Sequence, residues 1–77
     1  MNRLKELRQS KKKTQQELAD IVGVTKRTYI YWEQGERQIK REKAIQLAKF
    51  FNVSLGYLLG YVDRYEPYYS DEIFIGD

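Results

Sequence analysis

Apolar residues along this 77-residue chain recur at spacings of three and four in five separate runs, which predicts five helices. Leu4 and Leu7 mark the first, over residues 2–10, with Asn2 as its cap. Leu18, Ala19, Ile21 and Val22 mark the second, and Tyr29 and Trp32 the third. Ala44, Ile45, Leu47, Ala48 and Phe51 give the fourth a core face over residues 41–51. Leu55, Leu58 and Leu59 form the short last one, closed by Gly60.

The polar residues between these runs supply the starts and stops. Thr14 followed three residues later by Glu17 is a capping box, in which hydroxyl and carboxylate each satisfy a backbone N–H of the first turn. Thr25 and Ser54 are N-cap candidates for the third and fifth runs. Gly23, Gly35 and Asn52 sit where a helix ends in a left-handed residue, a conformation that glycine adopts freely and asparagine tolerates. Residues 14–35 therefore read as two short helices joined by a tight turn, and the rest of the chain is arranged around them.

The second helix of that pair has two faces. Tyr29 and Trp32 point one way, with Thr25 and Thr28 beside them, whereas Lys26, Arg27, Ile30, Tyr31 and Gln34 point the other. The outer face carries cationic, amide, phenol and aliphatic groups and no acid. The major groove of DNA admits a helix of this kind and presents base edges to it, but a solvated amphipathic helix has the same composition. Face composition leaves both open.

The order of cap, Q-x-x-L-A, glycine turn, second cap and W-E-x-G, carried by Gln15, Leu18, Ala19, Gly23, Thr25, Tyr29, Trp32, Glu33 and Gly35, resembles the helix-turn-helix of the phage repressor and Cro family. The likeness continues through the VSLGYLLG segment at 53–60 and so spans residues 2–60. It implies an all-α, five-helix repressor-like DNA-binding domain over residues 1–60, followed by an acidic, tyrosine-rich tail over 61–77. It also implies a partner, double-stranded DNA, and assigns residues to it. Lys26, Arg27, Ile30 and Tyr31 are expected to face bases, Arg27 as a bidentate guanine reader and Ile30 against a thymine methyl. Gln15 and Gln34 are expected at phosphates, and Arg37, Lys40 and Arg41 as phosphate clamps in and after the loop that follows Gly35. Arg8 is expected to pair with Glu33, and Phe50, Tyr57 and Tyr61 are expected at a two-fold homodimer contact. Three positions depart from the family pattern: Lys13 and Arg41 stand where an apolar residue is more common, and Ile39 where a proline is.

Charge divides unevenly along the chain. Residues 1–60 hold 13 Lys and Arg against 6 Asp and Glu, a balance of +7, whereas residues 61–77 hold Arg64 against five acids, a balance of −4. A basic body suits a phosphate-lined partner. The tail holds the single proline, Pro67, four of the seven tyrosines and an alternating finish of Ile73, Phe74 and Ile75, too aromatic for an ordinary solvated acidic segment. It reads as an arm on a partner subunit, as a flexible acidic segment competing with DNA, or as the start of a linker in a longer regulator.

With neither cysteine nor histidine, the chain lacks disulfides, thiolate chemistry and the commonest metal ligands, so no metal site and no cofactor are expected. Nor does any apolar run approach a membrane span, which with the lack of an apolar leader core predicts a cytoplasmic protein. The serines have no histidine to activate them, and neither a phosphate-binding glycine loop nor a small-molecule site stands out, so an enzyme is not expected. The reading is a sequence-specific transcriptional regulator, a repressor on a palindromic operator, from a bacterium, its phage or a mobile element. The alternative is an antitoxin or adaptor whose main partner is a protein bound through the tail.

Overall fold

A computed structural model of the protein describes residues 2–69. Among them are five helices and no strand: α1 (Leu4–Ser10), α2 (Gln15–Val22), α3 (Lys26–Gln34), α4 (Arg41–Phe51) and α5 (Leu55–Leu59). Three of the helices, α2, α3 and α5, begin at a hydroxyl. The Thr14 hydroxyl accepts from the Glu17 amide at 3.0 Å while the Glu17 carboxylate accepts from the Thr14 amide at 2.8 Å, and Thr25 and Ser54 cap α3 and α5. The hydrogen bond from the Thr14 backbone holds the Glu17 carboxyl below its usual pKa. Gly23, Gly35, Asn52 and Gly60 close four of the helices in the left-handed conformation.

α1 starts later than its periodicity suggests, at Leu4. Arg3 occupies the cap position without a capping side chain, and Asn2 instead reaches across it to accept from the Leu4 amide at 3.0 Å. The end of α1 is built on lysines. Lys12 takes φ +57°, so that its amide reaches the Gln9 carbonyl at 3.0 Å and the Lys13 amide reaches the Arg8 carbonyl at 3.1 Å, the double closure of a Schellman motif.

Leu4, Leu18, Ala19, Val22, Tyr29, Trp32, Ala44, Leu47, Ala48, Phe51, Val53 and Leu58 form one core. Leu7, Leu55 and Leu59, also expected inside, are half-buried against this core, while Ile21, 44% exposed, and Ile45, half-buried, are not part of it. The reason is angular. On α2 the buried stripe runs through Leu18, Ala19 and Val22, and on α4 through Ala44, Leu47, Ala48 and Phe51; Ile21 and Ile45 each sit more than a quarter-turn from its centre. Apolar character extended the predicted faces beyond the arc that packing covers.

The two ends of the described chain brace the bundle. The Arg3 amide donates to the Leu58 carbonyl at 2.9 Å, and its guanidinium lies 4.1 Å from the Tyr57 ring centroid while donating to the carbonyls of Tyr57 (2.7 Å) and Val62 (2.9 Å). Residues 61–69 have no regular structure and fold back on the α4–α5 junction. The Ser54 amide donates to the Glu66 carbonyl at 2.8 Å, the Tyr65 hydroxyl to the Asn52 carbonyl, and the Tyr68 amide to the Asn52 side chain. The alternating finish at Ile73, Phe74 and Ile75 lies outside the described residues.

Candidate nucleic-acid interface

The position of α3 is set from behind. Tyr29 and Trp32 are buried in edge-to-face contact, ring centroids 6.1 Å apart, and burial of each contributes roughly 1.5–3 kcal/mol to holding the helix in place. Asn2 donates to the Trp32 carbonyl at 2.8 Å, which ties the end of α3 to the N-terminus. On the preceding helix, Lys43 of α4 donates to the Val22 carbonyl at 2.7 Å and so places a cation at the carbonyl end of α2. Neither contact has a signal in helical periodicity, because each joins residues more than twenty positions apart.

A second fixation sits at the edge between the two faces of α3. The Arg8 guanidinium donates to Glu33 through Nε at 2.6 Å and through Nη2 at 3.3 Å, and its Nη1 donates to the Lys13 carbonyl at 3.0 Å. Gln15, the first residue of α2, adds an amide N–H to Glu33 at 3.2 Å. One carboxylate thus gathers α1, α2 and α3. Burial pushes the Glu33 carboxyl up, but the hydrogen bonds from its neighbours, Arg8 foremost, outweigh that and hold it below its usual range. Its side chain is 3% exposed and that of Arg8 13%. The Tyr29 hydroxyl is buried beside them without a well-formed hydrogen bond, and burial, reinforced by the Glu33 charge, drives its pKa far up.

The outward face carries the residues expected at bases. Lys26 and Arg27 are exposed, while Ile30 and Tyr31 are half-buried and Gln34 is exposed at the helix end. Arg27 Nε donates to the Tyr31 hydroxyl at 3.0 Å, and the Arg37 guanidinium from the following loop lies 4.7 Å from the Tyr31 ring centroid. Lys40 and Arg41 stand at the start of α4, both exposed. Ile39, in the place of the family's proline, packs on the core and anchors this loop by a side chain rather than by a ring.

Beside this face, a groove runs along the first turn of α2, lined by Lys5, Arg8, Lys13, Gln15 and Lys26 among others. Gln15 lies in it with one amide N–H on Glu33, which leaves the second N–H for an acceptor in the groove. Lys5 was not assigned to DNA from the sequence, and Lys13 drew notice there only as a departure from the family pattern. The departure at Lys13 is accommodated by its backbone, which is bonded to Arg8 at both ends.

The residues expected at a dimer contact do not share one environment. Phe50 is half-buried edge-on to Phe51, Tyr57 is half-buried between Arg3 and the edge of Tyr65 (centroids 5.9 Å), and Tyr61 is 81% exposed. The chain's own tail takes Tyr57. Among the described residues there is no cluster of metal-ligating side chains, and no helix is long and apolar enough to cross a membrane.

Two capped helices joined through a left-handed glycine, the second with its aromatic side buried and its cationic side outward, define a helix-turn-helix domain. The chain belongs to the Cro/C1-type helix-turn-helix family, whose model, described as helix-turn-helix, matches residues 4–58. It is 34% identical over 65 residues to the uncharacterized HTH-type transcriptional regulator YobD of Bacillus subtilis, covering 84% of this chain and 58% of that protein. It is 41% identical over 56 residues to YqaE, another uncharacterized HTH-type regulator of that organism (73% and 48%). The cryptic phage CTXphi transcriptional repressor RstR of Vibrio cholerae is 34% identical over 58 residues (75% and 52%). The chain spans about half the length of the relatives it matches. No solved structure matches it.

Proposed function

We propose that the protein is a sequence-specific DNA-binding transcriptional regulator, a repressor that binds a palindromic operator as a homodimer. The observation that carries this reading is the face of α3: Lys26, Arg27, Ile30, Tyr31 and Gln34 point outward with no acid among them, on a helix locked from behind by Tyr29 and Trp32. A rigid, donor-rich helix face is what reading base edges in the major groove requires. Family membership and relatives named as transcriptional regulators, one a phage repressor, support it.

In this reading Arg27 donates to guanine and Ile30 packs on a thymine methyl, with Lys26 and Tyr31 at neighbouring base edges. Gln15 at the amino end of α2 and Gln34, Arg37, Lys40 and Arg41 beyond α3 bind phosphates and fix the register without reading sequence. Tyr61, exposed just beyond α5, and half-buried Phe50 are the side chains left for a second copy.

Selection of bound duplexes from a random pool tests the reading. The expected outcome is an enriched palindrome with half-sites about one helical turn of DNA apart. A pool that stays unenriched in dilute buffer overturns the assignment, and an enriched site without two-fold symmetry overturns the dimer.

A further inference from the structure

Two guanidinium groups converge on one phenol. Arg27 lies one turn before Tyr31 on α3, and Arg37 comes from the loop after it; their Cζ atoms are 5.8 and 4.7 Å from the Tyr31 ring centroid, both within range of a cation–π contact. Arg27 is held in addition by its Nε hydrogen bond to the hydroxyl. That bond engages Nε alone, so Tyr31 leaves both terminal nitrogens of Arg27 to address an acceptor pair end-on. Bringing two like charges to one half-buried ring costs energy in the free protein, a cost that an anionic or acceptor-rich surface laid across them removes.

We propose that Tyr31 is a positioning residue: it aligns Arg27 for a base edge through its hydroxyl and Arg37 for the adjacent phosphate through its ring, coupling sequence reading to backbone clamping. This rests on the DNA-binding reading above and goes beyond it, because it gives Tyr31, besides its place at a base edge, a role exerted through two other side chains. The helix and the loop after it then engage DNA as one unit. The two contacts are chemically separable: phenylalanine keeps the ring and loses the hydroxyl, while leucine loses both.

The test has one arm without DNA and one with it. In the free protein, the Arg side-chain Nε–H resonances are recorded by NMR for the wild type, Tyr31→Phe and Tyr31→Leu. The expected result is that the ring-shifted Arg37 signal survives in Tyr31→Phe and moves to the position of an unstacked arginine in Tyr31→Leu, while the Arg27 Nε–H exchanges faster in both. Arginine signals unchanged in Tyr31→Leu overturn the proposal while leaving DNA binding untouched.

In the second arm, affinities are measured on duplexes recovered by the wild-type protein from a random pool. Tyr31→Phe is expected to lose about threefold to tenfold at the base pair where Arg27→Ala loses preference, with the salt dependence of binding unchanged. Tyr31→Leu is expected to show that loss together with a shallower salt dependence, matching Arg37→Ala. Combining Tyr31→Phe with Arg27→Ala should add nothing to Arg27→Ala alone. Fully additive losses in that pair overturn the coupling. Failure of the wild-type protein to bind any duplex would instead overturn the functional reading, with the first arm still standing as its own result.

Discussion

Glu33 holds three helices through one side chain, and the energetic consequence follows from its surroundings. With its side chain 3% exposed and its carboxylate satisfied by Arg8 and Gln15, removing it leaves a partly buried guanidinium without its counter-charge. Glu33→Ala should therefore lower stability by about 2–3 kcal/mol, just below the range for a fully buried pair because Arg8 is partly exposed and keeps the Lys13 carbonyl. Urea denaturation of the two proteins measures this, and an unchanged midpoint would show the pair to be energetically silent. The same residue sets the acid limb. A carboxyl whose pKa is lowered by folding contributes stability that is present above its unfolded value, near 4.5, and is lost as pH falls through the folded value. Stability should fall below about pH 4.5 in the wild type and less steeply in Glu33→Ala. Tyr29 has the opposite sign: its raised phenol pKa favours the fold below its ordinary value near 10 and withdraws that support at higher pH.

At the scale of elements, most of the architecture is a matter of punctuation. The closure of α1 at Lys12 is the exception, since a lysine at φ +57° carries a strain that glycine would not. Lys12→Gly should raise the unfolding midpoint, with a gain of up to about 1 kcal/mol, and a loss would show that the lysine side chain outweighs its backbone strain. The starts of α2, α3 and α5 and the stops of α2 through α5 were legible in single residues, because a hydroxyl before a helix and a glycine or asparagine after it act within four positions of the chain; α4 begins after Lys40 with no capping side chain and carries no such mark. The buried arc of α3 was legible for a related reason: Tyr29 and Trp32 are its only bulky aromatics on one side. Distances along the sequence limited the rest. Nothing in the local pattern pairs Arg3 with Tyr57 or Lys43 with the Val22 carbonyl, and amphipathicity alone could not tell that Ile21 and Ile45 fall outside the packed stripe. The Arg8 and Glu33 pair was expected through family resemblance, since two charges 25 positions apart carry no mark of their own.

Across the molecule, the N-terminus, α5 and the tail form one brace. The Ser54 amide belongs to a residue 1% exposed and depends on the Glu66 carbonyl, and Tyr57 is covered by Tyr65. Deleting residues 62–77 should lower stability by about 1–2 kcal/mol as these contacts open to water, measurable by thermal unfolding. No change in Tm would contradict the packing of residues 61–69 on the body. Charge acts at this scale as well, with a basic body at +7 and a tail at −4. If Arg37, Lys40 and Arg41 each neutralise one phosphate, log affinity for duplex DNA should fall with log salt at a slope of about −3 per protomer. A slope near zero would mean that these cations do not meet the backbone.

The central claim is that the outward face of α3, flanked by the first turn of α2, is the surface that meets DNA. Backbone amide shifts recorded while a selected duplex is titrated into the labelled protein test it most directly. The account predicts that the large changes fall on residues 26–37 and 13–16, with the amides of α5 and of residues 61–69 nearly still. Changes centred on α5 and residues 61–69, with α3 unmoved, would contradict it.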